Sequence, residues 1–334
     1  MKKKILVVGG SGYIGRVLIR DLIDHQNEIT NLDLKIYPDQ KNKKIGKYLN
    51  ENQVILDLRD KKSITNLLGS TNVVIILAGL VGEYITKKYP LLSDEINEKG
   101  IINFIDACSN YKNIENLIFV STCSNYGITQ NQILVDENHE LKPLSPYAKA
   151  KVKIEKYLLD KKNTEYAPTI LRFATAFGYS PRMRFDLTVN HFCYSMFKDK
   201  QIEVFDPDTW RPYCHVKDFS RLIIQILNSE REIINKKVFN AGSNSNNLTK
   251  SGIVNLILKK LPDTKVILKK GGIDKRDYRV SFKKIESELN FKAKYSVEYG
   301  INEILSILKK DKMNFLKEDS IKTRGNFKIL EHVK

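Results

Sequence analysis

Short unbroken apolar runs alternate with stretches whose apolar residues recur every three or four positions through the first half of the chain. The runs are Ile5-Leu6-Val7-Val8, Val54-Ile55-Leu56, Val73-Val74-Ile75-Ile76-Leu77, Leu117-Ile118-Phe119-Val120 and Thr169-Ile170-Leu171-Arg172-Phe173. They predict strands, and the run at 73–77 has the continuous character of a strand buried on both faces. The segment 29–33 predicts another. Helical spacing follows the first run (Val17, Leu18, Leu22, Ile23) and returns over 63–68, 91–108 and 146–161, the last with Pro146 suited to a first turn. Strands that alternate with helices imply a parallel sheet with right-handed crossovers, and ligands at the carboxyl ends of its strands.

The first strand runs into Gly9-Gly10-Ser11-Gly12-Tyr13-Ile14-Gly15, and a helix pattern starts at once. Gly9, Gly12 and Gly15 allow a turn at positive φ, close approach of backbone to a pyrophosphate, and tight helix–strand packing. The helix N-terminus offers free N–H groups to the phosphates. Asp33, at the end of the second strand, stands where a carboxylate takes the adenosine ribose hydroxyls of NAD and repels the extra phosphate of NADP. Asp57, beside Leu58, is placed to reach the adenine amino group, and Leu77-Ala78-Gly79 offers small residues beside a cofactor. The expected class is therefore α/β, a Rossmann-type doubly wound parallel sheet with a smaller C-terminal substrate-binding lobe. Residues 1–177 form the NAD-binding domain. Residues 178–310 form mainly the second lobe, with some segments returning to the first, and 311–334 is a polar basic tail without a functional reading. Residues 38–52, rich in lysine, read as a surface loop or short helix.

Composition narrows this little. Apolar content is 42% and charged content 28%, ordinary for a soluble globular protein. The apolar run after Lys2-Lys3-Lys4 is too short for a signal peptide, and no stretch approaches a membrane span, so a cytoplasmic protein without a membrane partner is expected. The net charge of +17 is mostly lysine scattered along the chain. That looks more like a compositional bias than a nucleic-acid docking face, and a general attraction for small polyanions is a sufficient consequence. Cys108, Cys123, Cys193 and Cys214 lack metal-ligand spacing, so no metal is expected and the thiols read as reduced. Cys123 alone falls inside a suspected site, where a buried apolar filler is the simpler reading.

Tyr147 and Lys151, four apart, share one helix face. A phenol is a poor base at neutral pH. An ammonium about 5 Å away at an effective dielectric of 20 favours phenolate by roughly 3 kcal/mol, about two pKa units. Tyr147 can then take a proton from a sugar hydroxyl as hydride leaves the same carbon, while Thr122 holds that oxygen and Lys151 also holds the nicotinamide ribose.

These residues resemble an extended short-chain dehydrogenase/reductase of the nucleotide-sugar epimerase/dehydratase group, over about residues 3–310. Further motifs that carry the likeness are Asn97 with Gly100, Ser121-Thr122-Cys123-Ser124-Asn125-Tyr126-Gly127, Arg172-Phe173-Ala174-Thr175 and Trp210-Arg211-Pro212-Tyr213-Cys214-His215. The resemblance implies NAD as cofactor, held by Gly9, Gly12, Tyr13, Ile14, Gly15, Asp33, Asp57, Leu58, Leu77, Ala78, Gly79, Asn97, Ser121, Tyr147, Lys151 and Phe173. It implies a nucleoside-diphosphate sugar as substrate, with Thr122, Thr175, Asn190, Arg211 and Arg276 or Arg279 as its contacts; guanidinium groups suit a diphosphate. His215 reads as a structural hydrogen-bonder. Related enzymes pair helices across a two-fold axis, so segments 91–110 and 146–161 imply a homodimer or larger assembly.

The family's dehydratases carry an Asp-Glu pair after the catalytic threonine. Cys123 and Ser124 stand there instead, which disfavours dehydration. Oxidation at C4 then has two outcomes: a 4-epimerase, or a 4-dehydrogenase whose NADH is reoxidised by exchange or by a keto compound such as 2-oxoglutarate. Residues 171–178, 182–187 and 278–282 look more like the GDP-manno-heptose dehydrogenase type of bacterial surface-polysaccharide pathways than like a UDP-galactose epimerase. A non-catalytic NAD-sensing or RNA-binding relative is the rival of another class; it is expected to lack Tyr147 or Lys151, and both are present.

Overall fold

The computed structural model describes residues 2–37, 52–129, 133–162, 164–310 and 324–333. In chain order its strands are β1 (Lys4–Val8), β2 (Glu28–Leu32), β3 (Gln53–Val54), β4 (Val73–Ile76), β5 (Asn116–Thr122), β6 (Leu134–Val135), β7 (Ala167–Phe173), β8 (Thr175–Phe177), β9 (Gln201–Phe205), β10 (Trp210–His215), β11 (Lys237–Ala241), β12 (Asn247–Thr249), β13 (Lys265–Lys269) and β14 (Arg279–Val280). The main sheet is seven-stranded in the order β11-β7-β5-β4-β1-β2-β3, and every pairing in it is parallel. Strand order reverses between β1 and β4, which opens a crevice at their carboxyl ends.

The central strands are apolar on both faces because helices cover both. Leu6, Val8, Val74 and Ile76 meet the helices Lys61–Leu68 and Ile101–Cys108 on one side. Ile5, Val7, Val73 and Ile75 meet Tyr13–Asp24 and Val216–Leu227 on the other. β11 lies far along the chain yet adds to the edge of this sheet beside β7.

Two expected elements differ. The strand expected from Val54 to Leu58 pairs only over Gln53 and Val54, at the sheet edge. Beyond it Ile55 is 61% exposed and the chain turns to bring Asp57 back to Arg59, so its apolar character is not used in the sheet. The stretch 91–108 is not one helix. It comprises Pro90–Asp94, a π-helical turn Glu95–Gly100 and Ile101–Cys108. The π-turn carries Asn97, whose amide bonds Leu80 in both directions, and such turns commonly re-aim a side chain.

The smaller lobe joins β12-β10-β8, β13-β9 and β14-β6 with the helices Thr188–Lys198, Lys250–Leu258 and Val297–Lys310. The Tyr13 phenol donates to the Gly178 carbonyl and so ties the glycine loop to this lobe. Of the expected tail, residues 324–333 pack against the larger lobe with Ile329 and Val333 buried; the expected loop at 38–52 lies almost wholly outside the described residues. Among the described residues no helix is long and apolar enough to cross a membrane.

Candidate active site

A cavity of about 650 Å³ opens at the carboxyl ends of the strands. It is lined continuously from Gly9, Asp33 and Asp57, past Thr122, Tyr147 and Lys151, to Arg211, Asp274 and Arg276. At the first end Gly9 has φ +89°, and a Cβ there would stand 2.6 Å from the Ala78 nitrogen. A Cβ at Gly15 would stand 2.5 Å from the Gly10 Cα. Glycine at these points lets β1, β4 and the first helix converge. No side chain among the described residues caps that helix, and Gly12, Tyr13, Ile14 and Gly15 at its start line the cavity, where the N–H groups of a helix start suit a pyrophosphate. Asp33 Oδ2 accepts from the Ser11 N–H at 2.8 Å and Oδ1 from Lys35 N–H at 2.7 Å, which orients the carboxylate at the cavity wall. Burial pushes its pKa up. Ile14, Leu58, Leu77, Ala78, Gly79 and Phe173 also line the wall, and these features together fit a dinucleotide.

Asp57 lines the same wall, but its carboxylate is chelated by Arg59, which also reaches Glu95. The Asn97 side chain is not a cavity contact: its oxygen accepts from Leu80 N–H at 2.6 Å and its nitrogen donates to Leu80 O and Ser93 Oγ. Its role is to shape the loop after β4. Tyr13 contributes backbone, since its phenol is buried in the second lobe. Ser121 points inward, where its hydroxyl bonds Glu155.

In the middle, Ser145 caps the helix Pro146–Asp160 by accepting from Ala148 N–H, and this sets Tyr147 on the first turn at the cavity. Thr122 Oγ1 accepts from Ser124 N–H at 3.1 Å. A hydroxyl has one proton to donate, and this bond leaves it free for a ligand oxygen. Lys151 Nζ donates to the Val120 carbonyl at 2.8 Å and sits 5.6 Å from the Tyr147 ring centroid. Burial pushes the Tyr147 phenol up to about 12, against the charges of Arg184 and Arg276. Burial pushes Lys151 down to about 7, opposed by Glu155. The expected acidified phenol is therefore not a property of the cofactor-free chain; the simple count of one ammonium omitted the desolvation of both groups. Cys123 is buried, donates to the Arg172 carbonyl, and its thiol is pushed well up by burial, so it is a filler. Beneath the site Glu155 holds Arg172, Ser121 and Asn125 together.

At the far end Arg211 and Arg276 converge on Asp274, at 3.0 and 2.7 Å. Arg211 Nη2 lies at ion-pair distance but without hydrogen-bond alignment, and has no hydrogen-bond acceptor among the described residues. Burial opposes ionisation of Asp274, but the bonds and charge of Arg276, with Arg211, hold it well below the carboxylate range. Arg276 also donates to Ser124 Oγ at 2.8 Å. Thr175 lines this region. Two expected substrate contacts do not line the cavity. Arg279 stacks on the Trp210 ring at 4.9 Å, outside the cavity wall. Asn190 is fully buried, bonded to Gly178 N–H, Tyr13 and the Arg184 carbonyl. His215 is structural: its Nδ1 accepts from Lys217 N–H, so Nε2 donates to Glu303 at 2.9 Å.

The sequence reading missed Ser124, Asp274, Arg182, Arg184, Asn326 and Phe327 on the cavity wall. The local richness in arginine at 181–184 was a usable signal for two of them.

Residues 5–242 match the profile of the family described as NAD dependent epimerase/dehydratase. A putative UDP-glucose 4-epimerase of Methanocaldococcus jannaschii is 29% identical over 241 residues, 69% of this chain and 75% of that protein. Among solved structures, UDP-glucuronic acid 4-epimerase from Bacillus cereus, in complex with UDP-glucuronic acid and NAD, superposes with a TM-score of 0.80 at 23% identity, covering 92% of this chain and 99% of that one. An NAD-dependent NDP-hexosamine 5,6-dehydratase involved in tunicamycin biosynthesis gives 0.81 at 21% identity, covering 94% and 100%.

Proposed function

The chain belongs to the NAD-dependent epimerase/dehydratase family, and from that premise we propose that it oxidises C4 of a nucleoside-diphosphate sugar, with 4-epimerisation as the net reaction. The observation that carries this reading is one cavity lined at once by the glycine loop with Asp33, by Thr122, Tyr147 and Lys151, and by Arg211 and Arg276. NAD, when bound, supplies a reversible hydride acceptor. Thr122 donates its free hydroxyl proton to the sugar O4 and keeps that oxygen oriented. Tyr147 takes the O4 proton and later returns it when the opposite face of C4 is reduced. Lys151 holds ribose hydroxyls and favours the phenolate once the site is filled. Arg211 and Arg276 turn from Asp274 to the diphosphate, which their guanidinium groups suit. Cys123 and Ser124 supply no acid–base pair for expelling water.

The named epimerase relative supports a UDP-linked sugar as the first substrate to test, ahead of the GDP-heptose that the resemblance of 182–187 suggested. That segment supports a second reading, since Arg182 and Arg184 line the cavity: the keto sugar leaves, and a keto acid such as 2-oxoglutarate takes the hydride. Purified protein is to be incubated with UDP-glucose, UDP-glucuronic acid or GDP-manno-heptose and NAD, and the sugar followed by NMR. Inversion at C4 without net NADH supports epimerisation. Keto sugar whose yield depends on added keto acid supports the dehydrogenase. Neither product with any of these sugars contradicts the proposal.

A further inference from the structure

We infer that residues 324–333 form a clasp that retains the dinucleotide at its adenosine end. The inference rests on the reading of this cavity as an NAD site. The segment follows a polar, basic stretch of sequence, yet it is fastened at points on both lobes. Leu330 N–H donates to the Ile36 carbonyl at 2.9 Å, and His332 Nε2 bonds the Leu34 carbonyl at 3.1 Å. Both acceptors lie just past Asp33. Asn326 Nδ2 donates to the Val81 carbonyl at 2.8 Å, in the loop after β4. Asn326 Oδ1 accepts from Arg182 at 3.0 Å, and the Arg324 carbonyl accepts from Phe185 N–H at 2.8 Å, both from the second lobe. Ile329 and Val333 anchor the segment in an apolar cluster with Leu80, Ile85, Leu92 and Ile96.

This route joins the ends of β2 and β4, between which a dinucleotide leaves the glycine loop. Asn326 and Phe327 face the cavity itself, with Phe327 edge-on to Tyr84 at 5.9 Å. Arg182 lies over the Tyr37 ring at 4.8 Å, within electrostatic reach of Asp33 and Asp186, and completes the same wall. Because two of these contacts lie just past Asp33 and none of them involves Arg211, Asp274 or Arg276, the clasp acts on the cofactor and not on the sugar nucleotide. Its occupancy of the wall sets how fast the cofactor exchanges.

The test compares the full chain with a chain truncated after residue 323, and with an Asn326→Ala/Phe327→Ala double variant should the truncated chain fail to fold. Protein loaded with NADH is mixed with excess NAD, and loss of bound-NADH fluorescence is followed by stopped flow. UDP binding is measured in parallel by calorimetry. The clasp predicts release at least ten-fold faster in the altered chain, with UDP affinity changed less than two-fold. Unchanged release overturns it, as does an equal loss of UDP binding, which would mean general loosening. Failure of the full chain to bind NADH at all would overturn the NAD reading and this inference with it.

Discussion

Lys151 Nζ lies 5.6 Å from the Tyr147 ring centroid and gives its hydrogen bond to the Val120 carbonyl. With the phenol pushed up to about 12 and the amine down to about 7, the first proton to leave this pair in the cofactor-free chain comes from Lys151. At pH 8 the pair is phenol and neutral amine, the wrong distribution for a base. A nicotinamide ring carrying positive charge favours the phenolate and does not favour the ammonium, so the Tyr147 proton comes off more readily once the site is filled. The near-ultraviolet phenolate band is therefore expected to be absent at pH 8, to rise on addition of NAD, and to stay absent in Tyr147→Phe. A band present without NAD contradicts this.

The same lysine has a consequence for stability. Its folded pKa, about 7, is below the ordinary 10.5, so the unfolded chain binds more protons between those values. Stability then rises with pH from about 7 toward 10.5, and the cost is full below 7. Lys151→Met is expected to raise stability at pH 7 by about 1–3 kcal/mol, after loss of the bond to Val120, and to flatten that rise. Urea unfolding at pH 6.5 and 9.5 checks it (conditions set by roughly these limits).

Glu155 and Arg172 form a buried bidentate pair, with 2.7 Å between Glu155 Oε2 and Arg172 Nη2. Glu155→Ala leaves a guanidinium buried and unpaired and is expected to cost about 3–5 kcal/mol. Removing both charges in Glu155→Met/Arg172→Met is expected to cost less than the single change. Denaturant midpoints of the three proteins decide; a double variant weaker than the single one contradicts the account.

Arg276 faces the cavity and Arg279 faces Trp210. Arg276→Ala is expected to weaken UDP binding by about ten- to a hundred-fold, the worth of a charge-assisted bond. Arg279→Ala is expected to change it less than about three-fold. Calorimetry with UDP reads both, and equal losses would contradict the assignment.

Much of the main sheet was legible because β1, β4, β5 and β7 are buried on both faces and so read as unbroken apolar runs. The site residues at their ends followed from topology. The edge strand was overextended because Ile55 and Leu56 carry strand-like character without a neighbour to pair. The π-turn at 95–100 was hidden, since one inserted residue hardly disturbs a helical pattern. Pairings such as Arg279 with Leu134 join segments far apart in sequence, and no local pattern announces them. Asp274 was missed because its meaning lies in Arg211 and Arg276 together, and residues 324–333 because two buried apolar side chains in a polar context make no period.

In the proposed function Tyr147 moves the proton while the dinucleotide sits in the same cavity. The most direct measurement is single-turnover transfer of deuterium from a C4-labelled nucleotide sugar in Tyr147→Phe, read beside NADH affinity. The account predicts a rate reduced by about a hundred-fold or more with NADH affinity within about three-fold of the unchanged protein. Transfer at the unchanged rate in that variant would contradict it.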